Sequence, residues 1–298
     1  MSAAQADAIP TPEEVVAPTP PQRPGTLKRL LRDPAAALAL LAVVLMIGGA
    51  ALAPWLAPTD PYDNDLSMAL RAPGEPGLLL GADSQGRNMI TRLLYGTRTS
   101  LLMGGAALLL GGGLGVLIGF AAAFWPRLDG LLMRLMDVML SFPAILFGLA
   151  LAAIFGPGTM AVILALSVAT VPLMARIARG AALVVMGQDY IEAARATGMS
   201  DARLILRHLA PNCLSSIFVF ATLRFGQVIL LGSALSFLGL GAQPPEAELG
   251  AMASEGRNFL FFAPHIAIIP SIAIFVIVLA FNILGDALRD ALDPRLRV

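Results

Sequence analysis

The chain has 298 residues, of which 57% are apolar and only 13% charged, and its mean hydropathy is +0.78. A water-solvated domain carries about 45–50% apolar and about 25% charged residues, so this composition fits a chain whose main solvent is lipid. The formal net charge of zero excludes a global basic field for nucleic acid, and the lone Cys213 excludes an internal disulfide framework or a cysteine-based metal site.

Residues 1–34 are polar and proline-rich, with Pro10, Pro12, Pro18, Pro20, Pro21 and Pro24 close together, and read as a disordered cytoplasmic tail. The tail ends in Lys28, Arg29 and Arg32. Lys28 is the only lysine and lies between Leu27 and Arg29, so the Gly-Lys-Ser/Thr of a phosphate-binding P-loop occurs nowhere in the chain. The apolar run over 35–57 matches the roughly 20 residues a membrane-spanning helix needs. It is too long, and its charged flank too far from the N-terminus, for a signal-peptide core.

Five further spans are expected near 99–124, 137–155, 159–178, 213–238 and 265–284, giving an all-α integral membrane protein of about six transmembrane helices. A division follows: an extracytoplasmic segment over 58–98, then a five-helix unit over 99–298 with a cytoplasmic loop over 179–212. The second span is rich in glycine (Gly104, Gly105, Gly111, Gly112, Gly113, Gly115, Gly119), which lets helix backbones approach closely in lipid. With the N-terminus inside, the inner side holds 14 basic residues: Arg23, Lys28, Arg29, Arg32, Arg127, Arg134, Arg176, Arg179, Arg195, Arg203, Arg207, Arg289, Arg295 and Arg297. The outer side holds 5, at Arg71, Arg87, Arg92, Arg98 and Arg257. The asymmetry places both termini in the cytoplasm.

The inner loop carries the most information. Residues 191–197 are good helix formers, Gly198 is placed for a left-handed cap, and Ser200 or Asp201 can start a second helix with Leu204, Ile205 and Leu209 on one face. Pro211 sits where the next span can begin. Ala193, Ala194 and Ala196 give the first helix a slim surface suited to a groove on another protein, and Glu192 near its N-terminus suits the helix dipole. The alternative from physics alone is an amphipathic helix lying on the inner membrane face.

Glu192-Ala193-Ala194, Gly198 and Leu209-Ala210-Pro211 together resemble the EAA loop of permease subunits in binding-protein-dependent ABC importers of the type I kind. Three more stretches are similar to the dipeptide, oligopeptide and nickel branch. They are Leu80-Gly81-Ala82-Asp83-Ser84-Gln85-Gly86-Arg87-Asn88 with Arg92 to Gly96, Leu235 to Gly241 with Gln243-Pro244-Pro245, and Asn282 to Asp286 with Asp293-Pro294-Arg295. The arrangement resembles the second, C-type permease of the pair. Gln85, Asn88, Val171 and Gly232 depart from that pattern, where Leu, Asp, Trp and Glu are usual.

The resemblance implies a bacterial inner-membrane permease subunit that forms a route for a peptide-like solute with a sister permease. It implies one or two cytoplasmic ATPases that bind the ATP and Mg, an extracytoplasmic solute-binding protein, and no cofactor in this chain. Glu192, Ala193, Ala194, Gly198 and Pro211 would then be the ATPase-coupling residues, with Arg195, Asp201 and Arg203 at the rim. Arg224 is the one clear intramembrane charge; it is a candidate for the translocation path, and pairing with a neighbouring subunit or snorkelling are its other readings. No residue set supports catalysis, since His208 and Cys213 lack a carboxylate at useful spacing. The rival reading is a self-sufficient secondary transporter, which would carry mid-membrane ionisable groups or inverted repeats.

Overall fold

The protein was analysed as a computed structural model that describes residues 30–292. The expected tail up to residue 29 and the Asp293-Pro294-Arg295 motif lie outside the described residues. Among the described residues five helices are long and apolar enough to cross a membrane, six if one sharply bent pair counts as a single span.

Helix α1 (Pro34–Ala51) starts with Pro34 at its first position and with the Asp33 carboxylate accepting from the Ala35 amide at 2.9 Å, two standard ways of opening a helix. Its Ala36, Ala39 and Val43 pack on Ala280 and Leu284 of the last helix. Leu38, Leu41 and Leu45 remain exposed on the opposite side. A short turn, α2 (Ala53–Leu56), leads into an irregular outer segment.

The helix carrying the second apolar run begins at Met89, ten residues before the run itself. It comprises α3 (Met89–Ala107), a π turn over Leu108–Gly112 and α4 (Gly113–Phe124). Gly111, Gly115 and Gly119 line one side of it. A Cβ on these residues would lie 2.2, 2.5 and 2.3 Å from the carbonyl oxygens of Ser167, Val171 and Ala175, so backbone meets backbone along the seam. The partner is α7 (Thr159–Met186), the most enclosed span of the molecule.

The span expected over 137–155 is not straight. It is broken into α5 (Pro126–Ser141) and α6 (Ala144–Phe155), which meet at 85°. The cause is Pro143, which lacks an amide donor and drives Phe142 into extended backbone at φ −90° and ψ 131°. Helix α5 is fixed to α7 by Met136, buried against Val171 and Ala175, and by the Arg179–Asp129 ion pair (2.5 Å) together with the Arg176–Asp137 pair.

Helix α8 (Asp189–Ala196) follows, then α9 (Asp201–Leu204), a π turn over Ile205–Leu209 and α10 (Ala210–Phe237). The last three form one unbroken helix over Asp201–Phe237. The second short helix of the loop is therefore the inner extension of the fifth span, not a separate element, and Pro211 lies inside it. Proline deprives the carbonyl four residues earlier of its partner, and the π turn immediately before it absorbs that mismatch. Outside the spans, α11 (Leu249–Gly256) packs between α10 and α12 (His265–Leu292), and α12 lies beside α1.

Candidate functional site

The inner loop is built around one buried side chain. Ile191 is fully enclosed, in a cluster with Phe120, Phe124, Ala182, Leu204, Leu209 and Cys213. It clips α8 to the inner ends of α4, α7 and α10. Arg195 adds a contact over the Phe124 ring, 5.6 Å from its centroid.

The helix ends as its sequence requires. Gly198 has φ +78°, its amide donates to the Arg195 carbonyl at 2.9 Å, and the Met199 amide donates to the Ala194 carbonyl at 3.2 Å. This pair of bonds is a Schellman cap, with Met199 returning to the same apolar cluster. A Cβ at Gly198 would meet nothing within 4 Å, so glycine is needed there for its backbone conformation and not for space. Ser200 occupies the N-cap of α9 without a side-chain bond to it.

With Ile191 turned inward, the outward surface of α8 is Glu192, Ala193 and Ala196, continued by Gly198; Ala194 is half-buried. Pro211 is also exposed, as are Arg195, Asp201 and Arg203. The loop thus presents a small-residue ridge with one carboxylate. Leu204 and Leu209 of the expected apolar face are buried, and Ile205 packs beside them.

Exposed helix faces elsewhere differ in kind. On α12 the exposed residues Ile268, Ile272, Phe275 and Leu279 form an apolar stripe, as a lipid-facing surface must. On α10 the exposed residues include Asn212, Ser216 and Gln227 among the apolar Leu214, Phe218 and Leu230, with the half-buried Arg224 beside them. At 100° per residue the four polar residues fall within an arc of about 120°. Arg224 donates from Nη1 to Gln227 Oε1 at 2.7 Å, its Nε is buried without a partner, and no described carboxylate lies within ion-pair distance.

A buried polar network on the outer side was not visible in the sequence. Arg87, 2% exposed, bonds from Nε to Asp83 Oδ2 at 2.6 Å, and Arg92 Nε lies 3.4 Å from the same oxygen. Glu255 of α11 stands 3.4 Å from Arg87 Nη2 and accepts from the Ser84 hydroxyl. Arg92 also donates to the Pro245 carbonyl at 2.9 Å. Asp83 Oδ1 takes the amides of Gln85 and Arg87, so the Asp83-to-Asn88 motif is a turn wrapped around its own carboxylate and tied to α11. Asn88 caps α3 by accepting from the Ile90 amide at 2.9 Å, and its amide group donates to the Gly77 carbonyl at 3.2 Å.

Glu248, 1% exposed, caps α11. Its carboxylate accepts from the Gly250 and Ala251 amides and from the Ser100 hydroxyl at 2.8 Å, with no cation beside it. It shares the wall of a cavity of about 10 Å³ with Ser100, Ser233 and Gly232. The buried carboxylate near Gly232 is thus Glu248. Only the i,i+4 spacing of Asp83 and Arg87 hints at any of this; the contacts that tie the turn and α3 to Pro245, Glu248 and Glu255 join residues well over a hundred apart. Among the described residues no cluster of His, Cys, Asp or Glu could hold a metal ion.

The comparisons with known proteins agree with one another. Residues 115–298 match the family described as binding-protein-dependent transport system inner membrane component, and residues 25–73 match the N-terminal transmembrane domain of oligopeptide transport permease C. The chain is 43% identical to a putative peptide transport system permease protein of Brucella suis biovar 1 (strain 1330), with 92% of each covered. It is 44% identical to the glutathione transport system permease protein GsiD of Pectobacterium atrosepticum, over 91% of this chain and 90% of that one. Its fold is similar to a chain in the inward-facing MetNI methionine ABC transporter, with a TM-score of 0.57 at 21% identity, covering 69% of this chain and 98% of that chain.

Proposed function

Since the chain belongs to the inner-membrane components of binding-protein-dependent transport systems, we propose that it is one of two unlike permeases whose facing surfaces enclose the route of a peptide-like solute. It is a multi-pass permease subunit that works with an ATPase and a binding protein and has no catalytic role of its own. This displaces the stand-alone secondary transporter reading. The peptide class rests on the relatives, which are permeases for peptides and for glutathione, itself a tripeptide.

The observation that carries the mechanism is the two-sided character of α8. Ile191 holds one side in the protein, while Glu192, Ala193 and Gly198 face out, with Ala194 at the edge. These residues are the ATPase contact. The π turn before Pro211 lets the fifth span continue down to that contact as one helix. With both termini cytoplasmic, as the basic-residue asymmetry favours, α8 lies on the ATPase side. The polar side of α10, with Arg224, faces the sister permease and lines the route, because lipid would not accept it uncompensated. Movement of the docked loop on ATP binding then shifts α10 between outward and inward access.

The test is purification of the tagged complex from its own host in mild detergent, beside a Glu192→Arg variant. Retention of a second permease and P-loop ATPases by the wild type, with the ATPases alone lost from the variant, is the expected result. ATPases retained fully by the variant would remove α8 from the contact. A wild-type chain that came out without a second permease would end the two-permease reading.

A further inference from the structure

Arg224 is an uncompensated cation near the middle of a span. A charge in that position is costly and is kept where it has a partner or water. Among the described residues the only partner is the neutral Gln227 side-chain oxygen at 2.7 Å. That bond uses one of the five guanidinium donors. It leaves Nη2 without a partner, while Nε is buried, and the side chain stands beside Gln227 on the side of α10 that also carries Ser216 and Asn212. The arginines at the inner end of α7 are paired within the chain, Arg179 with Asp129 and Arg176 with Asp137. A planar fork steadied by an amide and lacking a carboxylate is the geometry that takes a carboxylate from outside the chain.

Resting on the reading that α10 lines the route, we infer that Arg224 binds a free carboxylate of the passing solute, with Gln227 as the positioning residue. The substrate class is then peptides with an unblocked C-terminus or an acidic side chain. The neutral stripe of Ser216 and Asn212 below it gives the solute hydrogen bonds without a second charge to hold it, so release toward the cytoplasm is not opposed.

The experiment uses the whole transporter with its binding protein in proteoliposomes, carrying Cys213→Ala and Arg224→Cys. The thiol introduced by Arg224→Cys is modified in separate samples with a cationic aminoethyl and an anionic sulfonatoethyl methanethiosulfonate. ATP-driven uptake of radiolabelled dialanine is compared with that of dialanine amide. Each peptide is scored as a ratio to the same transporter before modification, so the binding protein's own preference cancels. The cationic adduct should exceed the anionic one by about tenfold for dialanine, the scale of one lost charge-assisted hydrogen bond. For the amide the two adducts should agree within about twofold.

Equal effects of the two adducts on dialanine, or an equal sign preference for the amide, would overturn the assignment while leaving Arg224 on the route. A preference of the second kind is what pairing with a carboxylate of the sister permease would give. Failure of both reagents to reach residue 224 in the folded complex would refute the route reading itself, and the carboxylate assignment with it.

Discussion

Replacing Ile191 by alanine removes the one fully buried side chain that fastens α8 to the rest of the molecule. The side chain is fully buried among six side chains drawn from α4, α7, α9, the π turn and α10, so truncation loses both transfer energy and packing. Changes of this kind cost about 2–5 kcal/mol, and about 3 kcal/mol is a fair centre for a site with mixed large neighbours. The cost falls on the docking of α8, because the spans beneath it keep their own contacts. Local opening of residues 188–199 should therefore become about a hundredfold more frequent. Hydrogen exchange of that segment, followed by mass spectrometry on the complex in nanodiscs, reads this directly. Ile191→Val should move it by less than tenfold. Transport driven by ATP should fall with the alanine change while solute binding to the binding protein stays the same. Unchanged exchange in 188–199 would refute the anchoring argument, and unchanged transport despite faster exchange would detach α8 from coupling.

Gly115→Val places a branched side chain where Val171 O would be 2.5 Å and Met174 Cβ 2.8 Å from the first added carbon, so α4 and α7 must separate. The yield of monodisperse protein in size-exclusion chromatography should collapse, whereas Gly113→Val, with nothing within 4 Å, should behave as wild type. Asp83→Asn strips the buried Arg87 and Arg92 of the nearer of the two carboxylates they share, leaving only the more exposed Glu255, and should cost about 3–5 kcal/mol in denaturant unfolding. Glu75→Gln, which breaks only the exposed pair with Arg71, should cost less than about 1 kcal/mol. Glu248→Gln turns an amide donor toward one of the two backbone amides that its carboxylate now serves, and a loss of about 1–3 kcal/mol should appear in the same assay.

Hydropathy and the loop motif made most of this molecule legible in advance. The apolar runs gave the spans, and Gly198 ended its helix where a left-handed residue was needed. Pro143 shows what hydropathy misses. A window average has no direction, so it merged an amphipathic helix and an apolar one that meet at 85°. The proline was visible, but its effect on Phe142 was not weighed. Pro211 misled in the opposite way: it suggested a helix start, and a π turn carried the helix through. The glycines of the second span promise close backbone approach without naming a partner, and three of them form a single backbone seam against α7. Ile191 gives no period to detect, because it is the one large aliphatic residue in the octet Asp189–Ala196. The outer network escaped for another reason. Its members come from distant parts of the chain, and nothing in a single sequence says that Ser84 will find Glu255 or that Ser100 will find Glu248.

The unbroken helix over Asp201–Phe237 has 37 residues, and at 1.5 Å per residue it is roughly 55 Å long. The hydrocarbon core is only about 30 Å thick, so the rod overhangs the membrane at the end beside α8. A rod of that length pivoting near its midpoint by roughly 10° sweeps each tip through about 5 Å. That is the width of a peptide backbone, obtained without breaking a turn of helix. The softened stretch from Ile205 to Pro211 sits near the handle end, where a little bending would shorten the stroke delivered to the other side. Stiffening that wrist, or loosening it, would set how much of each push arrives.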